Sequence, residues 1–290
     1  MPTSLASLLL AVGLSAFMGV RSLRHRSLSR SGALAAGLVG LSTFSNPHLL
    51  TSVVLLTFFV SSSKLTKYQG TRKQALDAHF TEGGQRDVWQ VLSNGLTGSV
   101  LSFLAMATSR VHPRATLTLM YVAHYAACNG DTWASELGTL HPHWPRLITT
   151  GSSVPPGTNG GISTTGLAAS LAGGAVVGLA AALAHLLQSG YYALLSTTAP
   201  VQFPADLTAL SLVGVGAAAG LGGSLLDSIL GALLQCSYVT ADGKVSNRRQ
   251  RAEDKLVTGR DVLTNNQVNF LSSLSIALIT GVLTFEGRTD

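Results

Sequence analysis

The stretch LTALSLVGVGAAAGLGGSLLDSILGALL, residues 207–234, decides the fold class. It carries one ionisable side chain, Asp227, in a run longer than the about 20 residues a helix needs to cross a bilayer. Gly216 and Gly220 have GxxxG spacing, with Gly222 and Gly223 close by, and Gly174 and Gly178 repeat that spacing in another apolar run. Such glycines let helix backbones approach where no hydrophobic effect drives association. Helix packing accounts for them fully.

Working outward, apolar runs also fall at roughly 4–20, 32–45, 49–63, 89–108, 115–129, 164–188 and 269–284. The second and third runs of the chain, 32–45 and 49–63, are short and are split by Asn46-Pro47. They read as a tight helical hairpin or as one broken span. Hydrophobic residues make up 46% of the 290 and charged residues 11%, against about 25% in soluble domains. That balance excludes a disordered chain, a basic nucleic-acid-binding domain and an ordinary soluble enzyme. The net charge of +6 reflects few acids rather than many bases, so no nucleic-acid partner is expected. The fold expected is an all-α membrane protein, a polytopic bundle of about 7–8 transmembrane helices forming a single integral-membrane domain over 1–290.

Loop charge gives the orientation. With eight spans and the N-terminus outside, the inside loops are 21–31, 64–88, 130–163 and 235–268. They hold four, five, one and six Lys/Arg, sixteen of the nineteen. Arg110, Arg114 and Arg288 fall outside. The polar motif loops are therefore expected on the cytoplasmic side. The first run lacks the positive charge that precedes a signal peptide's apolar core, since Arg21, Arg24, Arg26 and Arg30 follow it. It reads as an N-out anchor, with no Arg-rich organelle transit peptide before it. Cys128 and Cys236 cannot form a disulfide framework or a zinc site, and they read as small buried hydrophobes.

Most unusual polar residues lie on the inside. The first motif loop combines Lys64, Lys67, Arg72, Lys73 and Arg86 with Glu82-Gly83-Gly84. Lys64 and Lys67 suit cations that snorkel to anionic head groups. A Gly-Gly turn beside Arg86 could also bind phosphate through N–H groups and a guanidinium.

The second loop begins Asn129-Gly130-Asp131-Thr132-Trp133-Ala134-Ser135-Glu136. Acids so close to an apolar run need a partner, water or a cation. Helix capping would satisfy Asp131 but leave Glu136 unexplained. Magnesium ligation is the alternative. On a straight helix the two carboxylates lie about 140° apart, so one ion could take both only at a helix break.

Four further segments complete the polar inventory. Pro155-Pro156-Gly157-Thr158-Asn159-Gly160-Gly161 precedes a span and suits either an anion site at a helix N-terminus or ordinary turn chemistry. Asp227, an acid within a span, is a functional candidate by default. Asp242-Gly243 predicts a small β-hairpin, and the charged stretch after it reads as solvated surface. Asn265, Asn266 and Asn269 stand where a span begins and could cap it or bind phosphate and metal. There is no Walker A loop, no HExxH and no Gly-x-Ser-x-Gly elbow.

The segments SGALAAGLVG, SSSKLTKYQG, EGGQRDVWQV, GDTWASELG, PRLITT, VPPGTNGGIS, GSLLDSILGA and NNQVNFLSS occur in one order between about residues 31 and 280. Together they resemble the transmembrane protein 19 family, a multi-span family that includes the plant phytyl-phosphate kinase. GDTWASELG is similar to the acidic motif of the polyprenol kinases, which favour CTP. The resemblance implies transfer of a phosphoryl group from CTP to an isoprenoid monophosphate. Asp131, Glu136 and Asp227 would then hold Mg²⁺, with Asp131, Glu136 and Arg86 at the reacting groups. The glycine loop 157–161 would cradle phosphates beside Asn265, Asn266 and Asn269, and Arg72, Lys73 and Arg86 would neutralise anions. The lipid tail is expected among the glycine-rich spans, and the location in endoplasmic reticulum or another endomembrane. A transporter with Asp131 and Asp227 at the bilayer midplane, or a non-catalytic membrane protein, are the rival expectations.

Overall fold

The computed structural model describes residues 5–70, 85–108, 110–195 and 208–286. Eight helices account for most of these residues, and each coincides with one of the apolar runs. They are α1 (Leu5–Arg24), α2 (Arg30–Phe44), α3 (Leu49–Lys67), α4 (Val88–Ala107), α5 (Val111–Gly138), α6 (Thr164–Leu194), α7 (Ala209–Leu234) and α8 (Asn265–Glu286). The chain is an integral membrane protein with an all-α membrane fold.

Five helices, α1, α3, α6, α7 and α8, are long and apolar enough to cross a bilayer by length and composition. This is fewer than the seven or eight spans read from the sequence, and the other three differ for physical reasons. α2 has 15 residues, about 22 Å of helix against a hydrocarbon core of about 30 Å. α4 carries Gln90, Ser93 and Asn94 near its start. α5 sits at the centre, packed by α3, α4, α6, α7 and α8, so its surface faces protein rather than lipid. Tyr121, Val122, Ala123, Tyr125 and Ala126 there are fully buried, as are His124 and Asn129.

Asn46-Pro47 makes a tight helical hairpin. Pro47 cannot continue α2. Asn46 accepts from the His48 N–H at 3.0 Å and donates to the Ser102 carbonyl at 3.1 Å, which satisfies the turn against the end of α4. Gln188 on α6 closes the same region. Its Oε1 accepts from the Leu49 N–H at 2.8 Å, and its Nε2 donates to the Pro47 carbonyl at 2.9 Å.

The helices alternate in direction. One face of the bundle gathers the ends of α1, α3, α5 and α7 and the starts of α2, α4, α6 and α8. Lys67 Nζ donates to the His25 carbonyl across the α1 and α3 ends, and Ser163 Oγ donates to the Gly138 carbonyl where α5 meets α6. This motif face carries two small sheets. β1 (Arg146–Leu147) pairs antiparallel with β2 (Gly161–Ile162). β3 (Ser237–Val239) lies between β4 (Val245–Ser246) and β5 (Lys255–Thr258). The β3–β4 turn is the expected hairpin, with Gly243 at φ +76° and Val239 opposite Val245. The third strand begins at Lys255, the last residue of the stretch read as surface. The β-branched Val257 and Thr258 beside Leu256 were the available signal. Leu147, Val154 and Ala232 pack together with Val257, fixing both sheets to the end of α7.

A cavity at the motif face

Glycine contacts set where the acids stand. A methyl group on Gly174 would come within 2.1 Å of the Gly216 carbonyl oxygen, and one on Gly130 within 2.6 Å of Gly220 Cα. α5, α6 and α7 therefore meet backbone to backbone, the close approach that GxxxG spacing allows. Asn129 completes the junction. Its Oδ1 accepts from Ser61 at 2.7 Å and Ser62 at 3.1 Å, and its Nδ2 donates to the Gly173 carbonyl at 2.8 Å. The next acid along the helix, Asp131, then faces α7, where it and Asp227 repel each other electrostatically. Asp227 Oδ2 accepts from Ser272 Oγ at 3.2 Å. The Asn269 amide, with its nitrogen turned toward α7, donates to the same oxygen at 3.1 Å.

The acidic motif lies on a helix rather than in a loop. α5 runs unbroken to Gly138, so Asp131 caps nothing and the geometry of a straight helix applies. Asp131 and Glu136 consequently address different groups. Glu136 interacts with Arg86. Among the described residues, no three of His, Cys, Asp and Glu form a group that could hold a metal, so Asp131, Glu136 and Asp227 do not converge on one point.

Arg86 is held by a clamp that sequence reasoning did not identify. Its N–H donates to the Ser27 carbonyl at 3.1 Å and its carbonyl accepts from Ser29 N–H at 3.0 Å, making a parallel bridge with Leu28. Gly32 leaves room for this, since a methyl group there would sit 2.1 Å from the Arg86 carbonyl oxygen. The capping box of Asp87 and Gln90 starts α4 immediately afterwards. Burial pulls the half-buried Arg86 guanidinium below its ordinary pKa, and the Glu136 carboxylate pulls it back up. It stays protonated.

These residues line one cavity of about 620 Å³ on the motif face. Arg86, Asp131, Glu136, Asp227, Gly157, Thr158, Asn159, Gly160, Gly161, Asn265, Asn266 and Asn269 all border it. Arg72, Lys73 and the Glu82-Gly83-Gly84 turn lie outside the described residues.

Within the wall the roles divide. Thr158 Oγ1 donates to the Pro155 carbonyl at 2.7 Å, and Asn159 Nδ2 donates to the Cys236 carbonyl and to Asn247 Oδ1. Those groups shape the loop and tie it to the β3–β4 hairpin. Gly160, at φ +77°, presses against α7, where a Cβ would meet that of Ala232 at 2.4 Å. The N-terminus of α6 is capped by Ser163. The N-terminus of α8 is bracketed by Thr264 and Gln267, which leaves Asn265 and Asn266 to the cavity.

A narrower, apolar groove of about 80 Å³ shares Phe58, Arg86, Gln90 and Asn94 with this cavity. It runs between α1, α2, α3 and α4. Between the glycine-rich helices α6 and α7, Gly174, Gly178, Gly216 and Gly220 approach the facing backbone closely.

The chain belongs to the family described as integral membrane protein DUF92, whose model matches residues 13–277. It is 38% identical over 286 residues to Protein PGR of Arabidopsis thaliana, covering 95% of each chain. It is 27% identical over 212 residues to an uncharacterised membrane protein of Methanocaldococcus jannaschii, covering 73% of this chain and 76% of the other. It is 30% identical over 145 residues to Protein VTE6, chloroplastic, of Arabidopsis thaliana, covering 50% of this chain and 44% of the other. No solved structure matches.

Proposed function

We propose that this cavity is the active site of a prenyl-phosphate kinase, which transfers the γ-phosphoryl group of CTP to an isoprenoid monophosphate. The observation that carries the reading is the meeting of three carboxylates, a clamped arginine and a glycine loop in one polar cavity that adjoins an apolar groove. A substrate with an anionic head and a hydrocarbon tail needs both environments side by side.

Asp131 and Asp227 supply hard oxygens and repel each other, which is the setting a divalent cation relieves. Mg²⁺ is commonly held by one or two carboxylates together with substrate phosphates, so a pair without a third acid fits. Bound there, Mg²⁺ would neutralise charge on the nucleotide phosphates.

The remaining work falls to the chain's own groups. Arg86 binds the lipid phosphate and Glu136 orients its guanidinium. Asn269 and Ser272 hold the Asp227 carboxylate toward the cavity. The backbone around Gly157–Gly161 faces the nucleotide phosphates. An oxygen of the lipid monophosphate attacks the γ-phosphorus, the bond from that phosphorus to the β-bridging oxygen breaks, and CDP leaves with the electron pair. No strong general base is required, because a phosphomonoester is already largely ionised near pH 7.

Depth argues against an ion-coupled transporter. Asp131 and Asp227 are each seven residues from the motif-face end of their helix, about 10 Å in, and both lie on that side of the helix midpoint. A midplane site would place them at the centre. An endomembrane location belongs to the same proposal.

The test is incubation of purified protein in nanodiscs with Mg²⁺, CTP and geranylgeranyl monophosphate. Lipid diphosphate with release of CDP supports the kinase. Release of pyrophosphate would indicate nucleotidyl transfer instead, and absence of product with well-folded protein would reject both.

A further inference from the structure

We infer that the groove between α1, α2, α3 and α4 is the tail site of the lipid substrate, and that Ala36, Gly40 and Phe44 on α2 determine which chain lengths it accepts. This inference rests on the kinase reading for the head group and adds the position of the hydrocarbon.

Continuity is the first argument. Arg86, Gln90, Asn94 and Phe58 border both the polar cavity and the groove, so a ligand whose phosphate meets Arg86 has its next atoms at the groove's mouth. Shape is the second. A volume of about 80 Å³ is small, which suits one hydrocarbon chain rather than a two-chain lipid.

Chemistry is the third argument. Beyond the shared residues, the wall is largely apolar and includes Met18, Val39, Phe44, Leu55 and Phe59, with Ser15 and Ser22 on α1. The direction is also defined. From Ala36 to Phe44 is eight residues of α2, about 12 Å along the groove, leading away from Arg86. Halfway along, a methyl group on Gly40 would come 2.9 Å from Ser15 Oγ and 3.2 Å from the Phe44 ring, so the passage is already close to its limit there.

α1 forms the outer wall. It packs chiefly on α2, and much of its surface, including Leu9, Leu10 and Phe17, is exposed toward lipid. A chain can therefore enter sideways from the bilayer past α1 without parting the tightly packed α5, α6 and α7.

The experiment uses the full chain in nanodiscs and geranylgeranyl monophosphate carrying a diazirine in its tail. Illumination and peptide mapping should place adducts on α1–α4, and excess unlabelled geranylgeranyl monophosphate should remove them. Adducts on α6 and α7, or adducts that resist competition, would overturn the assignment.

Ala36→Phe narrows the groove away from the polar cavity. The ratio of kcat/KM for geranylgeranyl over dimethylallyl monophosphate should fall about tenfold or more, the scale on which apolar pockets discriminate. An unchanged ratio would contradict the inference. Gly19→Leu on peripheral α1, where a Cβ has its nearest neighbour at 3.9 Å, serves should Ala36→Phe fail to fold. The two readings fail separately. Competed groove adducts without diphosphate leave the tail site standing and remove the kinase, whereas diphosphate with adducts elsewhere does the reverse.

Discussion

Gly130 on α5 meets Gly220 on α7 so closely that a single methyl group on Gly130 would lie 2.6 Å from Gly220 Cα. The contact sits one residue before Asp131 and seven before Asp227. It fixes the separation of the two acids through the backbone rather than through side chains that can move.

Gly130→Val should therefore separate α5 from α7. Overpacking of this kind costs about 1–3 kcal/mol, and more where backbone must shift. A lower melting temperature in detergent and loss of Mg²⁺-dependent stabilisation are expected together. Retention of both would show that the acids do not depend on this contact.

Removing one acid should move stability and function in opposite directions. Asp131→Asn removes the cost of burying an ionisable carboxyl beside Asp227, so the metal-free protein should melt higher than wild type. The same variant should lose the stabilisation that wild type gains from millimolar Mg²⁺. Thermal unfolding with and without Mg²⁺ reads both effects.

Arg86→Lys keeps the charge but loses the planar fork that pairs with phosphate oxygens. KM for the lipid phosphate should rise about tenfold or more, the scale of a lost charge-assisted hydrogen bond. Arg86→Ala should be worse. An unchanged KM in Arg86→Lys would mean that the guanidinium acts only as a distant charge.

The hairpin bordering the cavity should loosen in acid. Asp254 Oδ2 accepts from the Arg251 N–H at 2.9 Å and the Gln250 N–H at 2.6 Å, and these bonds hold its pKa below the ordinary carboxylate value. A depressed folded pKa gives stability that is present above the unfolded value and is lost as pH falls through the folded one. Amide exchange in 245–258 should therefore accelerate below about pH 4. Asp254→Asn should exchange faster at neutral pH and show a weaker acid dependence.

The helices were legible because apolar runs in a membrane protein have few alternative readings. All eight marked runs became helices, and the GxxxG pairs became the α6–α7 contact. Cys128 and Cys236 are buried and free, as their apolar surroundings suggested.

The helix of the run 115–129 extends to Gly138. Asp131, Trp133 and Glu136 look like a loop by hydropathy, but the surrounding helices let α5 stay helical through polar residues. The division of labour inside the cavity was also hidden. Nothing local tells that Asn129 and Asn159 tie the fold together while Asn269 addresses Asp227, because an amide's role depends on partners far away in sequence. The clamp of Ser27–Gly32 on Arg86 was missed for the same reason.

The most direct measurement follows the γ-phosphate. Wild-type protein and a folded Asp131→Asn variant, each in nanodiscs with Mg²⁺ and geranylgeranyl monophosphate, receive CTP labelled at the γ-phosphorus. The account predicts label in geranylgeranyl diphosphate for the wild type and at least a hundredfold less for the variant, about 2.7 kcal/mol of transition-state stabilisation. Equal labelling by both proteins, or none by either, would contradict it.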